Sequence, residues 1–373
     1  MAAGSDRPPA DRPVAVELDG VEKHYGETTA LDSISLSVRE GEFFTLVGPS
    51  GCGKTTTLRL VGGFEAPTAG TIRLDNEDVS GIPPEDRDVG IVFQSYALFP
   101  HMTVGENVAY GLSFTPPPDD VSTQERVEEL LELVDLEGMA DRDPKELSGG
   151  QQQRVAMARA LAPGRRVLLL DEPMSALDAE LRERLRLEIR DIQKELDITT
   201  IYVTHDQEEA LAISDRVAVM HAGRIEQVGT PREIYYQPQT RFVAEFVGDN
   251  NVFSGQVTAI EQREEQRLAL VDLEGSPVAV ALDSQDVSVT EGDELVFCVR
   301  PEHLRFDDDI PAELNVGEPL EATVKSTEFL GETTRAYLDW EGHELRARTS
   351  QPLTGTVTVG FDPADAHVVE TRE

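Results

Sequence analysis

The spacing of hydrophobic residues changes along the chain, and the change divides it into two parts. Over residues 14–236, short apolar runs alternate with segments whose apolar residues recur every three or four positions. A short apolar run is typical of a buried strand, and the longer spacing is typical of a helix with one buried face. The alternation predicts an α/β domain with a largely parallel sheet.

Several elements of this domain follow from the pattern. The runs at 42–47, 167–170 and 200–203 predict buried strands, and residues 180–196 predict an amphipathic helix. A further helix is predicted to begin near Ser122, because apolar residues follow it at helical spacing. Residues 95–160 are therefore expected to form a mostly helical subdomain inserted in the α/β core.

After about residue 240 the segments become short, rich in Val, Thr, Phe and Tyr, and separated by Gly, Asp and Pro. In residues 334–340, Ala336, Leu338 and Trp340 alternate with more polar residues, as in a half-buried strand. This texture predicts a small all-β barrel or sandwich. We divide the chain into a disordered lead (1–13), an α/β domain (14–240) and a β domain (241–373).

The composition limits the possible functions. The chain of 373 residues has 33 Lys+Arg against 71 Asp+Glu, a formal net charge of −38, which disfavours general binding to nucleic acids or anionic membranes. No apolar run approaches the ~20 residues of a membrane span, and we expect no secretory signal in the lead. Two cysteines predict no disulfide framework and favour a reducing compartment. Marked acidity with only five lysines suggests a protein adapted to high salt.

A glycine-rich turn between a predicted strand and a predicted helix carries the strongest chemical pattern. It matches G-x-x-x-x-G-K-[ST], in which backbone N–H groups cradle phosphate oxygens at a helix N-terminus. Lys54 would reach the β- and γ-phosphates, and the Thr55 hydroxyl would bind Mg²⁺. The alternative is a chance match in an ordinary turn. The matching residues are Gly48, Pro49, Ser50, Gly51, Cys52, Gly53, Lys54 and Thr55.

Two carboxylates follow the predicted strand at 167–170. Asp171 is placed to hold Mg²⁺ through water, and Glu172 to orient or deprotonate an attacking water. The alternative is a strand that ends in an acidic turn.

A second candidate anion site is the segment Ser148, Gly149, Gly150 and Gln151. Ser148 can be a plain helix N-cap. Two glycines at a helix start also leave backbone amides open to a phosphate. Since the first glycine-rich turn already serves one nucleotide, this segment is better explained if it binds the nucleotide of another subunit.

These motifs resemble those of the nucleotide-binding subunits of ABC transporters, and the resemblance extends over the whole chain. The first turn with Thr56 is similar to Walker A, residues 147–151 to the LSGGQ signature, and residues 167–172 to Walker B. Four further positions match in family order: Tyr25 that stacks on adenine, Gln94 of the Q-loop that senses γ-phosphate and Mg²⁺, Asp178 of the D-loop and the switch His205.

The resemblance implies an ATPase with ATP and Mg²⁺ as cofactors. Lys54, Glu172 and His205 would be catalytic, and Thr55, Gln94 and Asp171 would surround the metal. Two copies would form a head-to-tail homodimer at the cytoplasmic face of the membrane. The dimer would act on two transmembrane permease subunits and, indirectly, on an extracellular solute-binding protein. Residues 95–102 would face the permease, with ordinary packing of Leu98 and Phe99 as the alternative.

The C-terminal part narrows the resemblance. Residues 299–304 and 321–332 are similar to the OB-like TOBE/MOP barrel of importer ATPases for maltose, polyamines or ferric iron. Residues 63–65 and 247–253 are most similar to spermidine/putrescine ATPases, while ferric-iron, phosphonate, thiamine and sugar importers remain alternatives. Two rivals of other classes are a soluble ABC ATPase acting on DNA or ribosomes and a non-enzymatic ligand sensor. Cys52 is expected to be passive, with a redox switch as the alternative.

Overall fold

A computed structural model describes residues 12–175, 177–263, 266–282, 288–307, 310 and 320–372. The chain divides into two compact units, the first ending at Pro231 and the second beginning at Arg232. Residues 1–11 of the predicted lead and Ala176 of the D-loop lie outside the described residues. Arg12 is already held, because it donates a 3.0 Å hydrogen bond to Asp197.

The first unit contains ten strands and six α-helices among its described residues. The strands are β1 (Val14–Tyr25), β2 (Thr28–Arg39), β3 (Phe43–Val47), β4 (Ala69–Leu74), β5 (Glu77–Asp78), β6 (Val89–Val92), β7 (Val167–Asp171), β8 (Thr199–Thr204), β9 (Arg216–His221) and β10 (Arg224–Gly229). The helices are α1 (Lys54–Val61), α2 (Val104–Ala109), α3 (Thr123–Leu133), α4 (Gly149–Leu161), α5 (Ala179–Leu196) and α6 (Gln207–Ile213).

A six-stranded sheet in the order β10-β9-β3-β8-β7-β6 forms the centre of this unit. All neighbouring strands in it are parallel except β10 and β9. Its central strands β3, β7 and β8 are buried on both faces, as expected of a parallel sheet. In β3, Phe43 packs toward the helices of the inserted region, while Phe44 packs toward α1 and the antiparallel sheet β2-β1-β4-β5. The carboxyl ends of β3, β8 and β7 meet at one edge, where Val47 pairs with Thr204 and Asp171 with Val203.

The connection between β6 and β7 holds α2, α3 and α4, so the inserted region is helical as expected. The start of α3 has a capping box in which Ser122 accepts from the Glu125 N–H and Glu125 accepts from the Ser122 N–H. Leu98 and Phe99 are half-buried rather than freely exposed. The ring of Phe99 lies 4.4 Å from that of Tyr110, so the ordinary-packing alternative holds for part of its surface.

A buried arginine secures the far end of α1. Arg87 is 2% exposed, and its guanidinium donates to four backbone carbonyls. Two of these belong to Leu60 and Val61 in the last turn of α1, whose carbonyls have no partner within the helix. A cation at a helix C-terminus also complements the helix dipole.

The boundary between the units falls within α7 (Pro231–Tyr236), and α8 (Arg241–Phe246) follows in the second unit. Every strand pairing found in the described residues of the second unit is antiparallel. One sheet has the order β13-β12-β11-β14-β20 and the other β15-β19-β16-β17-β18. The strands are β11 (Asn251–Arg263), β12 (Gln266–Leu273), β13 (Ser276–Ala281), β14 (Glu294–Val299), β15 (Arg305–Phe306), β16 (Leu320–Phe329), β17 (Thr334–Trp340), β18 (His343–Thr349), β19 (Thr356–Gly360) and β20 (Ala366–Arg372).

One apolar core joins the two sheets of this unit. In β17, Ala336, Leu338 and Trp340 are buried and the intervening residues are half-exposed, which confirms the alternation expected from the sequence. In the described part of the chain, we find no helix with the length and apolar character that crossing a bilayer requires.

Candidate active site

The glycine-rich turn connects the carboxyl end of β3 to the first residue of α1. Gly51 and Gly53 adopt left-handed backbone conformations, with φ of 80° and 109°, which favour glycine. A Cβ atom on Gly48 would lie 2.2 Å from the Met220 carbonyl oxygen, so this position also requires glycine. Glycine is therefore needed in this turn both for its backbone conformation and because the Met220 backbone lies close to Gly48. The turn leads directly into the N-terminus of α1.

Lys54 lies across this turn and is 4% exposed. Its Nζ donates hydrogen bonds of 2.8 Å to the Gly48 carbonyl and 3.0 Å to the Pro49 carbonyl. The ammonium group is thus fixed over the concave side of the loop.

Cys52 is buried beneath the same loop, with Sγ 3.9 Å from Lys54 Nζ. Burial raises the pKa of the Cys52 thiol, against the opposing effect of Lys54. The neutral thiol is poorly nucleophilic, which favours the passive role over a redox switch.

Thr55 connects the turn to the strand end that carries the acidic pair. Its hydroxyl donates a 2.9 Å hydrogen bond to Asp171 Oδ1. Burial raises the pKa of Asp171, Glu172 adds to the shift, and the hydrogen bond from Thr55 opposes it. The Thr55 hydroxyl and the Asp171 carboxylate therefore meet at the edge of the sheet, directly beside the glycine-rich turn.

Glu172 is held by a second set of contacts. Its backbone is left-handed (φ 44°), and its N–H donates to the Val203 carbonyl at 3.0 Å. Its carboxylate lies 3.1 Å from His205 Nδ1, at the end of β8. Gln94 Nε2 donates to Ser175 Oγ, which donates in turn to the Glu172 carbonyl, both at 3.0 Å. Ser175, which the sequence pattern does not select, therefore links Gln94 to Glu172, and Glu172 contacts His205 directly.

Tyr25 lies at the end of β1 and is 47% exposed. Its hydroxyl donates to Glu65, and Lys23 Nζ lies 5.0 Å from the ring centroid. Thr56 also interacts with this hydroxyl. Burial and Glu65 together raise the pKa of Tyr25. The ring is thus tethered next to α1 with much of its surface accessible.

The other predicted positions form helix caps. Ser148 accepts from the Gln151 N–H, and Gln151 accepts from the Ser148 N–H at 3.0 Å, so the N-cap alternative is realised. Asp178 caps α5 by accepting from the Leu181 N–H at 3.0 Å. Within the described residues, no hydrogen bond connects Ser148–Gln151 to the loop containing Lys54. Ser148 and Gly149 are exposed, so this turn is open to an external group.

Comparison with known proteins identifies the family. The ABC transporter model matches residues 31–175, and the TOBE domain model matches residues 297–369. Spermidine/putrescine import ATP-binding protein PotA of Thermobifida fusca is 52% identical over 324 residues, 86% of this chain and 82% of that protein. The chain belongs to the ABC transporter ATP-binding proteins. The α/β core and the all-β TOBE domain confirm the fold class expected from the sequence.

Other ABC proteins are also similar. Sulfate/thiosulfate import ATP-binding protein CysA 2 of Chromobacterium violaceum is 50% identical over 320 residues, 86% of this chain and 82% of that protein. The ADP- and Pi-bound post-hydrolysis dimer of the cassette MJ0796 has 35% identity and a TM-score of 0.52, over 58% of this chain and 99% of that chain. CbiO1 of Clostridium perfringens, described as part of the complex cbiONQ, has 31% identity and a TM-score of 0.55, over 60% of this chain and 91% of that chain. As an ABC ATP-binding protein, this chain binds ATP and is an ATPase.

Some residues of this ABC site were missed by the sequence analysis. The sequence pattern selects Asp178 of the D-loop but not Ser175, and it includes Glu65 only within the range 63–65 that is similar to the spermidine/putrescine ATPases. Each acts through a partner that is distant in sequence, Gln94 for Ser175 and Tyr25 for Glu65. The spacing of residues along the sequence cannot indicate contacts between residues so far apart in the chain.

Proposed function

We propose that this chain is the ATP-hydrolysing subunit of an importer and that two copies sandwich two ATP molecules head to tail. The observation that carries the proposal is the hydrogen bond between Thr55 and Asp171, next to the Glu172–His205 pair. It brings candidate metal ligands and candidate water-activating groups to the phosphate end of one glycine-rich loop.

The loop supplies binding for the triphosphate. Backbone N–H groups of residues 48–55 and the N-terminus of α1 favour negative charge. Lys54 exchanges its contacts with the Gly48 and Pro49 carbonyls for phosphate oxygens. Tyr25 offers its exposed ring to the adenine, because Glu65 holds its hydroxyl and leaves much of its surface accessible.

The residues beside the loop fit Mg²⁺. Hydroxyl and carboxylate oxygens are hard ligands, and Mg²⁺ usually takes one or two of them together with phosphates and waters. Burial of Asp171 supports this assignment, since a nearby cation would stabilise its charged form. Thr55, Asp171 and Gln94 would hold the ion. The metal would neutralise charge on the phosphates.

Glu172 and His205 act on the attacking water. The carboxylate orients the water and accepts its proton, while His205, with Nδ1 3.1 Å from Glu172 Oε2, holds the carboxylate in place. Positioning of this kind is the main protein contribution to phosphoryl transfer.

The second half of each nucleotide site comes from the partner chain. At the start of α4, Ser148 and Gly149 are exposed, and the capping box occupies the N–H groups of Ser148 and Gln151 but not that of Gly149. This exposed end of the helix is the part that would meet the partner's nucleotide. The MJ0796 cassette is described as dimeric with ADP and Pi, which supports this arrangement. ATP then links the two chains, and loss of its γ-phosphate releases them.

Membrane permease subunits are the partners, because the relatives are import ATP-binding proteins. The chain would work at the cytoplasmic face of the membrane as a peripheral subunit, and a solute-binding protein would deliver the cargo on the other side. The cargo we propose is a polyamine, since several relatives at 46–52% identity are named for spermidine and putrescine. Sulfate or thiosulfate is the second candidate, because CysA 2 is similar over the same share of the chain.

The variant Glu172→Gln tests the proposed mechanism. Donors for ATP remain while water activation is lost, so turnover should fall by ~10²- to 10⁴-fold. Light scattering after gel filtration should then show a stable dimer with ATP and Mg²⁺, and a monomer with ADP. The variant Glu183→Gln, at an exposed position of α5, is the control and should behave as the unaltered chain. A Glu172→Gln protein that binds ATP yet stays monomeric would refute the sandwich.

Transport assays decide the cargo. Membrane vesicles that contain this chain with its permease subunits are loaded with ATP, and uptake of labelled spermidine, putrescine and sulfate is compared. We expect polyamine uptake that requires ATP and disappears with Glu172→Gln. Uptake of sulfate without uptake of polyamines would contradict the polyamine proposal and support sulfate or thiosulfate as the cargo.

A further inference from the structure

The arginine at position 182 connects the two loops that carry the Glu172–His205 pair. Arg182 lies in the first turns of α5. Its Nη2 donates to the Leu177 carbonyl at 3.1 Å, in the loop that follows Glu172. Its Nη1 donates to Asp206 Oδ2 at 3.3 Å, in the residue that follows His205. One guanidinium therefore spans the two loops.

The acceptors of this arginine are fixed in turn. Asp206 uses its other oxygen, Oδ1, to cap α6 by accepting from the Glu208 and Glu209 N–H groups at 2.8 and 3.2 Å. The Asp206 carboxylate is therefore immobilised, and it transmits the position of Arg182 to the backbone beside His205.

Glu209 provides a second anchor. It is 4% exposed, and its Oε2 accepts from the Tyr202 hydroxyl at 2.7 Å and the Thr204 hydroxyl at 2.6 Å. Its other oxygen lies 3.7 Å from Arg182 Nε. Tyr202 and Thr204 belong to β8, and His205 directly follows this strand. Glu209 therefore fixes the position of the Arg182 guanidinium relative to β8. A buried carboxylate at this place requires such partners.

The catalytic pair itself has few direct supports. The side chain of His205 is 54% exposed, and within the described part of the chain its one hydrogen bond is to Glu172. Its position is therefore set mainly by its backbone. Glu172 is restrained through Ser175 and the loop that ends at Leu177. These groups surround one small cavity of about 20 Å³. Its lining includes Glu172, His205, Arg182 and Glu209, among other polar residues.

We propose that Arg182 is a positioning residue for ATP hydrolysis. It sets the separation of Glu172 and His205 by binding the backbone on one side and Asp206 and Glu209 on the other. Arg182 has no assigned contact with nucleotide, so it acts through these loops and leaves ATP binding alone. This inference rests on the proposed function. It adds that ATP hydrolysis requires Arg182, a residue outside the nucleotide-binding motifs.

Substitution of Arg182 tests the inference through separate measurement of ATP affinity and turnover. In Arg182→Gln, kcat should fall by about tenfold to a hundredfold, as expected for a small misplacement of reacting groups. The dissociation constant for ATP, measured by fluorescence titration, should stay within about twofold. Arg182→Lys should recover part of kcat, because it keeps the charge near Asp206 and Glu209 but cannot make all three contacts. Arg184→Gln is the matched control, since that side chain is 70% exposed and its charge pairs with Glu188.

A second variant protects the test against misfolding. Asp206→Asn keeps an N-cap residue for α6 but removes the charge that Arg182 contacts. Its kcat should also fall at unchanged ATP affinity. In the double variant, the loss should not exceed that of Arg182→Gln alone, because both changes break one link. Losses that multiply, an unchanged kcat in Arg182→Gln, or a loss of ATP affinity as large as the loss of kcat would each overturn the inference.

The two proposals fail in different ways. A wild-type chain without ATP turnover, or without an ATP-dependent dimer of Glu172→Gln, contradicts the proposed function. Normal wild-type turnover that Arg182→Gln leaves intact contradicts the role of Arg182 alone.

Discussion

Asp171 occupies an environment that opposes its own negative charge. It is 8% exposed and lies beside Glu172, and both burial and this neighbour raise its pKa. The Thr55 hydroxyl offsets only part of this effect. Because the folded protein holds the Asp171 proton more tightly than the unfolded chain does, the free energy of unfolding falls as pH rises through the pKa of this carboxyl. We attribute this to function, since a buried anion is a useful ligand for a cation that arrives with the nucleotide.

The variant Asp171→Asn should therefore be more stable and inactive. The amide oxygen can still accept from Thr55, while the buried charge is gone. In metal-free buffer at pH 7.5, its free energy of unfolding in urea should exceed that of the unaltered chain by about 1 kcal/mol, the size typical of single substitutions. The difference should shrink as the pH is lowered toward the pKa of Asp171. A variant that is less stable at pH 7.5, or a gap that grows in acid, would contradict this account.

Three helices of the first unit, α2, α3 and α4, begin with a capping box, but only α4 is proposed to serve a nucleotide. Ser122 and Glu125 begin α3, and Ser148 and Gln151 begin α4, with reciprocal hydrogen bonds in both cases. Helix starts of this kind follow from the spacing of Ser and Glu or Gln. The difference lies in the residues after the cap of α4, because the exposed Gly149 has no side chain to cover its amide, while Gly150 is buried against Leu181.

Alanine at the two caps separates stability from catalysis. Ser148→Ala and Ser122→Ala should each lower the free energy of unfolding by about 1 kcal/mol. Turnover should fall only in Ser148→Ala. Ser148→Arg should abolish turnover, because its side chain would block the partner's nucleotide, while binding of ATP to the monomer persists. Chemical denaturation, ATP titration and steady-state hydrolysis measure the three quantities. An equal loss of monomer affinity in Ser148→Arg would show that the turn acts within its own chain.

Most elements of the fold follow from local pattern. The start of α3 at Ser122 and the alternation in β17 were both predicted, since each depends on neighbours along the chain. The partial burial of Leu98 and Phe99 was only the alternative prediction, because the packing of Phe99 depends on Tyr110 and on Arg159, whose guanidinium lies 5.4 Å from the Phe99 ring centroid. The motif residues could be selected from the sequence in the same way, but the links through Ser175 and Arg182 arise from tertiary contact.

On the scale of the whole molecule, charge is the dominant feature. A net charge of −38 repels itself, and many acidic side chains are paired with exposed arginines, as in Arg166–Asp75 and Arg224–Asp32. Exposed pairs of this kind contribute little individually. Salt reduces the self-repulsion more than it weakens such pairs, because the Debye length falls to ~3 Å at 1 M.

The protein should consequently become more stable and more active as KCl rises. We expect the midpoint of thermal unfolding to increase by several degrees between about 0.1 and 2 M KCl, with turnover rising in parallel. Scanning calorimetry and hydrolysis assays at fixed Mg²⁺ and ATP measure both. Replacing KCl by sucrose controls for solvent exclusion, since sucrose does not screen charge. Equal stability and activity in dilute buffer and in molar KCl would contradict the hypothesis that the protein is adapted to high salt.

The anchor at the end of α1 is built differently from the surface. Arg87 binds four backbone carbonyls, and no described carboxylate pairs with it. Its hold on Leu60 and Val61 is buried beyond the reach of dissolved ions. The last turn of the helix that begins at the phosphate loop is therefore held by contacts that added salt cannot screen, whereas the exposed ion pairs of the surface weaken as salinity rises.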